Sequence, residues 1–444
     1  MSEAGSPHVV VLGAGFAGVE VAQVLARKLP REGRVTLIDQ NNFLLFTPML
    51  IEVLAGQVDM LHIVAAARQL HRRIKFEQGR VVNIDLTNKR VDYLVWGGGG
   101  GNHHTTRSIQ ADHIVIALGS APDFRGVPGL EANAMTMKNL CDAVSIHNRA
   151  LALLERADSE PDARVRRRLL TFVIGGGGFS GVETTAALTD FVMDAMRYYP
   201  TVQREDIRVV LVEMESRLLP ELDERLVEYA RHKLERMGVE VRLNTAISHV
   251  APDYVDFASG ERVYGHTLIW TGGISPVAVV RRMACECTKH GAIIADSTCA
   301  IDGFPGCWAL GDCAHVPHPR TGIPYAPTAQ NAVRQGRLVA NNIIATLNGK
   351  PVKPFNFKAI GEAAALGRHA GIASIYGVRF WGFPAWFLWR TIYLLKLPRL
   401  KQRVRVGIDW AMDLVFGREI VELPAQCFVA GLCPTIELQE TNRH

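Results

Sequence analysis

The amino-acid sequence predicts an α/β fold in which two similar parallel-sheet domains are followed by a C-terminal helical region. Two glycine-rich segments predict the domains, VVVLGAGFAGVEVA and TFVIGGGGFSGVETTAAL, because each joins an apolar, strand-like run to a helix-like run. A third observation predicts the helical region, since tryptophan and basic residues become frequent after Phe355. The length of 444 residues is sufficient for two or three domains.

Each glycine-rich segment matches the dinucleotide-binding fingerprint G-x-G-x-x-G. In this motif the first glycine permits the tight turn from strand to helix, the second lets a pyrophosphate approach the backbone, and the third lets helix and strand pack closely. The N-terminus of the helix then faces the phosphate charge. The glycines are Gly13, Gly15 and Gly18 in the first segment, and Gly176, Gly178 and Gly181 in the second.

An acidic residue is expected at the end of the strand after each fingerprint, where its carboxylate accepts hydrogen bonds from a ribose. Asp39 ends the segment RVTLID, and Glu213 ends the segment IRVVLVE. A single glycine turn is often an ordinary loop. Two turns with both acids predict two Rossmann-like dinucleotide sites on one chain, and therefore electron transfer between two nucleotides, one of them a flavin.

The first half of the chain contains the predicted elements in a simple order. Residues 8–39 are expected to form strand, helix and strand, and residues 56–110 to form antiparallel strands. The glycine-rich segment at 97–101 is predicted to be a hairpin tip. Residues 111–124 are typical of a buried strand that ends in a tight turn at Gly119.

The second half repeats this plan. A helix over 138–157 and a basic linker, RVRRR, lead to the second fingerprint, whose crossover helix we expect from Val182 to Tyr199. The closing strand, in HTLIWTGGISP, ends in a glycine turn that contains Gly272, and a later helix begins near Thr328. The internal repeat predicts a duplicated nucleotide-binding fold.

Composition restricts the class of protein. Hydrophobic residues make up 48% and charged residues 21%, which is typical of a globular protein, and the net charge is only +5, so we expect no nucleic-acid partner. The first strand is predicted to begin near His8, so we expect no secretory signal peptide. The eight cysteines show no zinc-type pairs and no C-x-x-x-x-C redox pair follows Asp39, so we expect neither a metal site nor thiol–disulfide chemistry.

The motifs together resemble those of the two-dinucleotide flavoprotein reductases, and among them the type II NADH dehydrogenases, the single-subunit NADH:quinone oxidoreductases. The resemblance covers residues 8–420 and is carried by LGAGFAG, FLLFTPML, IALGSAPDF, VIGGGGFSGVE, IWTGGI, ALGDCA, APTAQNAVRQG and the tryptophan-rich, basic C-terminal segment. It implies that the first fingerprint holds FAD and the second holds NADH. The implied domains are an FAD-binding domain in two parts (1–125 and 281–355), an NADH-binding domain (126–280) and a membrane-associating or dimerisation region (356–444).

The resemblance also implies roles for residues near the FAD. The first-fingerprint glycines and Asp39 would bind the pyrophosphate and the adenosine ribose, and Asp312 in the segment LGD would lie at the ribityl and phosphate end. Gly119 would also contribute to FAD binding. Thr47 and Pro48 would approach the isoalloxazine ring. The alternative for Asp312, which lies between a strand and the following turn, is a helix cap.

NADH would be bound by the second-fingerprint glycines, Glu213 and Gly272. Glu183 resembles the family's glutamate near the nicotinamide–quinone face, and Gln330 resembles the residue that flanks the quinone beside the flavin. The alternatives are a solvated acid stabilised by the helix dipole for Glu183, and a capping or surface glutamine for Gln330.

The C-terminal segment is predicted to be amphipathic and to associate with a membrane. PAWFLWRTIYLLKL begins with Pro384 at a helix N1-like position, and Arg390 and Lys396 make it too charged and too short to span a bilayer. Tryptophans favour the headgroup boundary and basic residues favour anionic lipid. The alternative is a dimer interface. A second stretch has apolar residues at helical spacing, namely Val404, Ile408, Ala411 and Val415.

The sequence therefore predicts a non-proton-pumping NADH:quinone oxidoreductase that transfers a hydride from NADH to FAD and then two electrons to a membrane quinone. We expect a homodimer on the cytoplasmic side of the inner membrane, held peripherally on anionic lipid. Three alternatives remain open: a soluble NAD(P)H-dependent reductase of a redox-protein partner, a sulfide:quinone oxidoreductase, and a flavin-bound redox sensor with negligible turnover.

Overall fold

The computed structural model describes residues 6–96 and 104–422. The chain divides into two compact units, each built from three segments of the sequence. The first unit comprises Met1–Phe46, Val64–Asp123 and Gly273–Ile360, and the second comprises Thr47–Ile63, Phe124–Gly272 and Gly361–His444.

The first unit is built on a five-stranded parallel sheet with the fingerprint strand at its centre. Its apolar strands are buried, because helices cover parallel sheets. In spatial order the strands are Cys307–Ala309, His113–Ile116, His8–Leu12, Arg34–Asp39 and Ile74–Gln78.

Two long helices pack against each other in the first unit, Phe16–Lys28 and Ala329–Leu347. They cross closely at Gly336, where a Cβ atom would lie 2.6 Å from the carbonyl oxygen of Ala17. Thr328 caps the second helix by accepting a hydrogen bond from the Asn331 N–H, so the predicted start of this helix is confirmed.

A three-stranded antiparallel sheet completes the first unit, with strands Arg80–Asp85, Arg90–Trp96 and His104–Gln110. The prediction of antiparallel strands over 56–110 is confirmed for these strands but is wrong for Ile74–Gln78, which pairs in parallel with the main sheet. The predicted hairpin tip at 97–101 lies outside the described residues.

The second unit repeats the sheet of the first. Its fingerprint strand again lies between the acidic strand and the closing strand, and all neighbours pair in parallel. The prediction of two Rossmann-like domains is thereby confirmed. In spatial order the strands are Ala134–Thr136, Thr267–Trp270, Thr171–Gly175, Arg208–Val212 and Val239–Arg242. An antiparallel sheet adds Ile247–Val250, Tyr254–Phe257 and Arg262–Tyr264.

The helices of the second unit differ from the prediction in two places. The predicted linker RVRRR lies within the helix Ala163–Leu169, which Asp162 caps by accepting from the Arg164 N–H. The crossover helix begins earlier than predicted and spans Phe179–Ala195, because its first turn follows directly on the fingerprint. The other long helices are Leu140–Asp158 and Glu224–Arg236.

The C-terminal part of the second unit is a three-stranded antiparallel sheet followed by two helices, Phe383–Lys396 and Leu400–Phe416, which we call the two C-terminal helices. Pro384 lies in the first turn of the first of these helices, as predicted. The predicted apolar stripe of the second helix faces solvent. The strands are Gly361–Ala365, Gly371–Ile375 and Val378–Trp381. The exposed stripe residues are Val404, Ile408, Ala411 and Val415.

No helix within residues 6–96 and 104–422 is long and apolar enough to cross a membrane. The remaining short strands are Phe43–Leu45, Val64–Ala66, Ser120–Pro122, Ile274–Pro276, Ile293–Ile294 and Ala314–His315. The remaining short helices are Leu50–Leu54, Leu130–Asn133 and Ala278–Arg281, with 3₁₀ turns at Thr47–Met49, Ala67–Gln69, Met196–Tyr198, Arg204–Asp206 and Gly311–Cys313.

Candidate cofactor sites

The first fingerprint forms a turn that accepts only glycine at two of its three positions. Gly13 has a φ of 100°, and a Cβ atom there would lie 2.2 Å from the carbonyl oxygen of Ala117. A Cβ atom at Gly18 would lie 1.9 Å from the carbonyl oxygen of Gly13. Gly15 is different, because no atom lies within 4 Å of its Cβ position and it forms the N-cap of the helix. The open space beside Gly15 is where a pyrophosphate would approach the helix N-terminus.

Asp39 lies against this turn. Its Oδ2 accepts a hydrogen bond from the Ala14 N–H at 2.6 Å, and its Oδ1 accepts from the Asn41 N–H at 2.7 Å. Burial raises the pKa of Asp39, and the two N–H donors partly oppose that rise. The strand order brings the carboxylate and the glycines together, although 25 residues separate Ala14 from Asp39.

A second group of predicted FAD-binding residues meets at the carboxyl ends of two strands of the same sheet. Ser120, next to Gly119, donates from its hydroxyl to Oδ2 of Asp312 at 2.8 Å. Gly119 and Gly311 both have positive φ, 69° and 72°, which glycine adopts without strain. Ligands of doubly wound sheets bind at this edge.

Gln335 is a residue that the sequence prediction missed. Its side chain is buried and its Oε1 accepts from the Gly311 N–H at 2.8 Å, which holds the turn before Asp312. The segment AQNAVRQG offers two glutamines, and pattern alone does not tell which one faces the turn. Gln330 lies in the first turn of the same helix, and its Oε1 accepts from the Ile360 N–H at 3.3 Å.

Thr47 and Pro48 form a 3₁₀ turn in the second unit, with Thr47 exposed and Pro48 half-buried. Their predicted approach to the isoalloxazine ring stays a prediction. Within the described ranges, no group of three or more His, Cys, Asp or Glu side chains is arranged to hold a metal ion.

The second fingerprint repeats the geometry of the first. Gly176 has a φ of 112°, and a Cβ atom there would lie 2.8 Å from the backbone N of Gly272, which places these two predicted residues side by side. A Cβ atom at Gly181 would lie 1.8 Å from the carbonyl oxygen of Gly176. Gly178 is the N-cap of the crossover helix and has no atom within 4 Å of its Cβ position.

Glu213 occupies the place in the second unit that Asp39 occupies in the first. Its Oε2 accepts from the Gly177 N–H, and its Oε1 accepts from the Glu215 N–H at 2.9 Å. A nucleotide at this turn would have its ribose near the carboxylate and its pyrophosphate beside Gly178.

Glu183 is not the solvated acid of the alternative interpretation. Its Oε1 accepts from the Ala365 N–H at 2.9 Å, on the first strand of the C-terminal sheet. Burial raises the pKa of Glu183 to about 8; the Ala365 N–H and the Trp389 indole oppose the rise, and the Glu52 carboxylate adds to it. A pKa in this range favours the protonated carboxyl group at neutral pH.

Comparison with protein families identifies two regions. Residues 7–336 match the pyridine nucleotide-disulphide oxidoreductase family, and residues 360–419 match the NDH2 C-terminal domain. A probable NADH dehydrogenase of Dictyostelium discoideum is 32% identical over 393 residues, covering 87% of this chain and 85% of that protein. The type II NADH:quinone oxidoreductase NdhA of Mycobacterium tuberculosis is 27% identical, covering 98% and 93%.

A solved structure shows the same fold. The Plasmodium falciparum NDH2 structure in complex with NADH superimposes with a TM-score of 0.85 at 18% identity, over 94% of this chain and 100% of that one. With two fingerprint turns, their acids and both family matches, the chain belongs to the pyridine nucleotide-disulphide oxidoreductase family and, within it, to the type II NADH dehydrogenases.

Proposed function

We propose that this chain is an FAD-dependent NADH:quinone oxidoreductase, with the first unit holding FAD and the second holding NADH. The observation that carries the proposal is the paired geometry of the two fingerprints. Each has a helix N-terminus with open space at its middle glycine, at Gly15 and at Gly178, and a carboxylate bonded into the turn. The membership of the family and the names of the relatives support the same reaction.

The first unit fits FAD. The close approach of Gly13 to Ala117 and the open space at Gly15 form a cradle that a side chain would fill. When bound there, FAD supplies a two-electron relay between a nicotinamide and a quinone. The chain's part is to hold the pyrophosphate at the helix N-terminus, the adenosine ribose at Asp39, and the ribityl end at Asp312.

The second unit fits NADH rather than NADPH. Glu213 can accept hydrogen bonds from both hydroxyls of the adenosine ribose, whereas a 2′-phosphate would add a second negative charge beside it. The carboxylate is already fixed by the N–H groups of Gly177 and Glu215, so it cannot easily turn away.

Oxidation of NADH by a quinone transfers a hydride, which carries two electrons and one proton, and consumes one further proton to give NAD+ and the quinol. We assign proton donation to Glu183, because its raised pKa of about 8 keeps it protonated at neutral pH. We assign Gln330 to the quinone side of the flavin, with its side chain oriented by the Ile360 N–H.

The C-terminal helices support membrane association. Exposed apolar side chains on the second helix include Ile408, Met412 and Val415, and such a patch is typical of an interaction surface. Between Leu366 and Arg418 the sequence contains nine Lys or Arg residues and two Asp residues. We propose that this surface lies on anionic lipid at the cytoplasmic face of the membrane, and that the chain works as a homodimer.

Steady-state oxidation of NADH with a short-chain quinone tests the reaction and separates the alternatives. We expect turnover with NADH and quinone, and no reduction of quinone when sulfide replaces NADH. Turnover only with an added redox protein would favour the soluble reductase. Bound flavin without turnover would favour the sensor.

Membrane association is best tested by surface substitution rather than by truncation, because Trp410 of the second C-terminal helix is buried and bonded to Glu52. We expect Ile408→Ser/Val415→Ser to release the enzyme from anionic vesicles, with Ile323→Ser/Val352→Ser, in the first unit, as an exposed apolar control. Equal vesicle binding by the two double variants would contradict this placement.

A further inference from the structure

The second unit contains a cationic cavity that neither fingerprint uses. It has a volume of about 450 Å³, within the usual range for ligand pockets. Its cationic lining consists of Lys233 and Arg236, from the end of helix Glu224–Arg236, and Arg368, from the turn before the strand Gly371–Ile375. His369 lines it too, but burial and the nearby Arg368 lower its pKa, so it adds no charge to the argument. Phe383, at the start of the first C-terminal helix, also lines it.

The positive charge of this cavity is only partly balanced by the protein. The Arg368 guanidinium lies 3.8 Å from Oδ2 of Asp194 and donates to the carbonyl oxygen of Asp413 at 3.2 Å. Lys233 and Arg236, in contrast, have no carboxylate within 4.0 Å among the residues that the structure describes. Lys233 acts at longer range on the buried carboxyl of Asp190, whereas Arg236 makes no ion pair within the described ranges, so the positive charge left for an anion is largest at Arg236.

The first turn of the helix Phe383–Lys396 adds to this field. Its N-cap, Gly382, also lines the cavity, and no acidic residue lies in the first turn. The positive end of the helix dipole at this terminus favours an anion, although Pro384 supplies no N–H in the first turn. The terminus strengthens a site that the basic side chains already define.

The surface beside the cavity is apolar. Phe383 and Phe387 of the same helix are 57% and 61% exposed, and Trp381 before them is 56% exposed. A ligand that satisfies both surfaces carries a phosphate group at one end and hydrocarbon at the other. The guanidinium group of an arginine can donate two parallel hydrogen bonds to two oxygens of such a phosphate group.

We infer that this cavity binds the phosphate group of an anionic phospholipid, so that the first C-terminal helix is held on the bilayer at a defined headgroup and not only by diffuse attraction. The inference that the ligand carries a phosphate group rests on the cavity alone. The lipid as its source rests on the membrane association proposed above, and a free phosphorylated metabolite would present the same group.

The test compares two double variants of the full-length holoenzyme. Lys233→Gln/Arg236→Gln removes the two cavity charges that form no ion pair within 4.0 Å among the described residues. Arg225→Gln/Arg231→Gln removes the same charge from the same helix outside the cavity lining, and so matches the loss of diffuse attraction to anionic lipid. NADH oxidation with a short-chain quinone should be unchanged in both, which separates this inference from the proposed reaction.

Two binding measurements then identify the ligand. In the first, titration calorimetry with glycerol phosphate should show binding by the wild type and the control variant, and at least about tenfold weaker binding by the cavity variant. In the second, flotation with phosphatidylglycerol-containing vesicles should show at least about tenfold weaker partition of the cavity variant than of the control, since each basic residue near the surface contributes up to about one factor of five.

One result would overturn the lipid as the source of the phosphate group: glycerol phosphate binding depends on Lys233 and Arg236, but the two variants partition equally onto vesicles. That result would support a soluble phosphate ligand. Loss of vesicle partition in the cavity variant alone would support the lipid headgroup. Absence of glycerol phosphate binding together with equal partition of the two variants would overturn the site.

Discussion

Arg390 and Glu52 form a buried ion pair in the second unit, with Nη2 of Arg390 3.2 Å from Oε1 of Glu52. The Trp410 indole donates to Oε2 of Glu52 at 2.7 Å. The guanidinium lies over the rings of Trp386 and Trp410, 4.3 and 4.6 Å from their centres. The pair therefore ties the short helix Leu50–Leu54 to both C-terminal helices, and it places a buried acid close enough to raise the pKa of the neighbouring catalytic candidate, Glu183.

The ion pair predicts a loss of stability when one partner is removed. Glu52→Gln leaves the Arg390 guanidinium buried without its carboxylate, which typically costs about 3–5 kcal/mol. Replacing both partners, in Glu52→Gln/Arg390→Met, should recover most of that loss, because no uncompensated charge remains and the glutamine oxygen still accepts from the Trp410 indole. Denaturant unfolding followed by circular dichroism gives these free energies. A Glu52→Gln variant as stable as the exposed-site control Glu32→Gln would show that the pair contributes nothing.

The fingerprint glycines predict a variant that folds but lacks flavin. Gly15→Val introduces a side chain into open space next to the helix N-terminus, so the protein should fold normally while the pyrophosphate is excluded. The purified protein should be colourless. Gly178→Val is the matched change at the second fingerprint, and it should keep the flavin but lose its reduction by NADH. A normal flavin spectrum in Gly15→Val would disprove the first site.

Glu213 predicts a preference for NADH over NADPH. A carboxylate and a 2′-phosphate about 4 Å apart repel each other by roughly 4 kcal/mol at an effective dielectric near 20, and solvent reduces this to about 10- to 100-fold discrimination. Glu213→Gln should narrow the ratio of the two kcat/KM values, whereas the nearby exposed Glu215→Gln should not. Comparable kcat/KM for both nucleotides in the wild type would contradict the assignment.

Glu183 predicts a pH-dependent stability. Its pKa rises from an ordinary 4.5 to about 8 in the folded chain, so between these values the folded protein holds a proton that the unfolded chain has released. The stability contributed by this group is therefore highest at low pH and falls as the pH rises to about 8, by up to about 1.4 kcal/mol per pH unit.

The variant Glu183→Gln keeps the acceptor for the Ala365 N–H but removes the titration. Its melting temperature should exceed that of the wild type by a margin that grows from pH 5 to pH 8, as measured by thermal denaturation across that range. A margin that stays constant with pH would mean that Glu183 has an ordinary pKa.

The sequence predicts the local features of the two units well. Gly13 and Gly176 adopt the positive φ values that the fingerprint pattern predicts from nearby residues, and the helix that begins after Thr328 has its own cap. The apolar stripe of the second C-terminal helix was also predicted, although only the structure shows that it faces solvent.

The features that the sequence does not reveal depend on distant contacts. Glu183 is bonded to Ala365, 182 residues away, and the intervening chain gives no sign of that contact. Glu52 joins Trp410 across 358 residues, and this explains why Thr47–Ile63 groups with the second unit although its neighbours in sequence belong to the first. Such placements follow from tertiary packing, which no pattern of nearby residues records.

The most direct test of the account is the visible spectrum of the purified protein under anaerobic conditions. We expect a flavin spectrum, its bleaching by one equivalent of NADH, and its recovery when a short-chain quinone is added. In stopped flow, Gln330→Ala should leave the bleaching unchanged and slow the recovery. Bleaching without recovery by quinone, or a spectrum that NADH leaves unchanged, would contradict the proposed transfer from NADH through FAD to quinone.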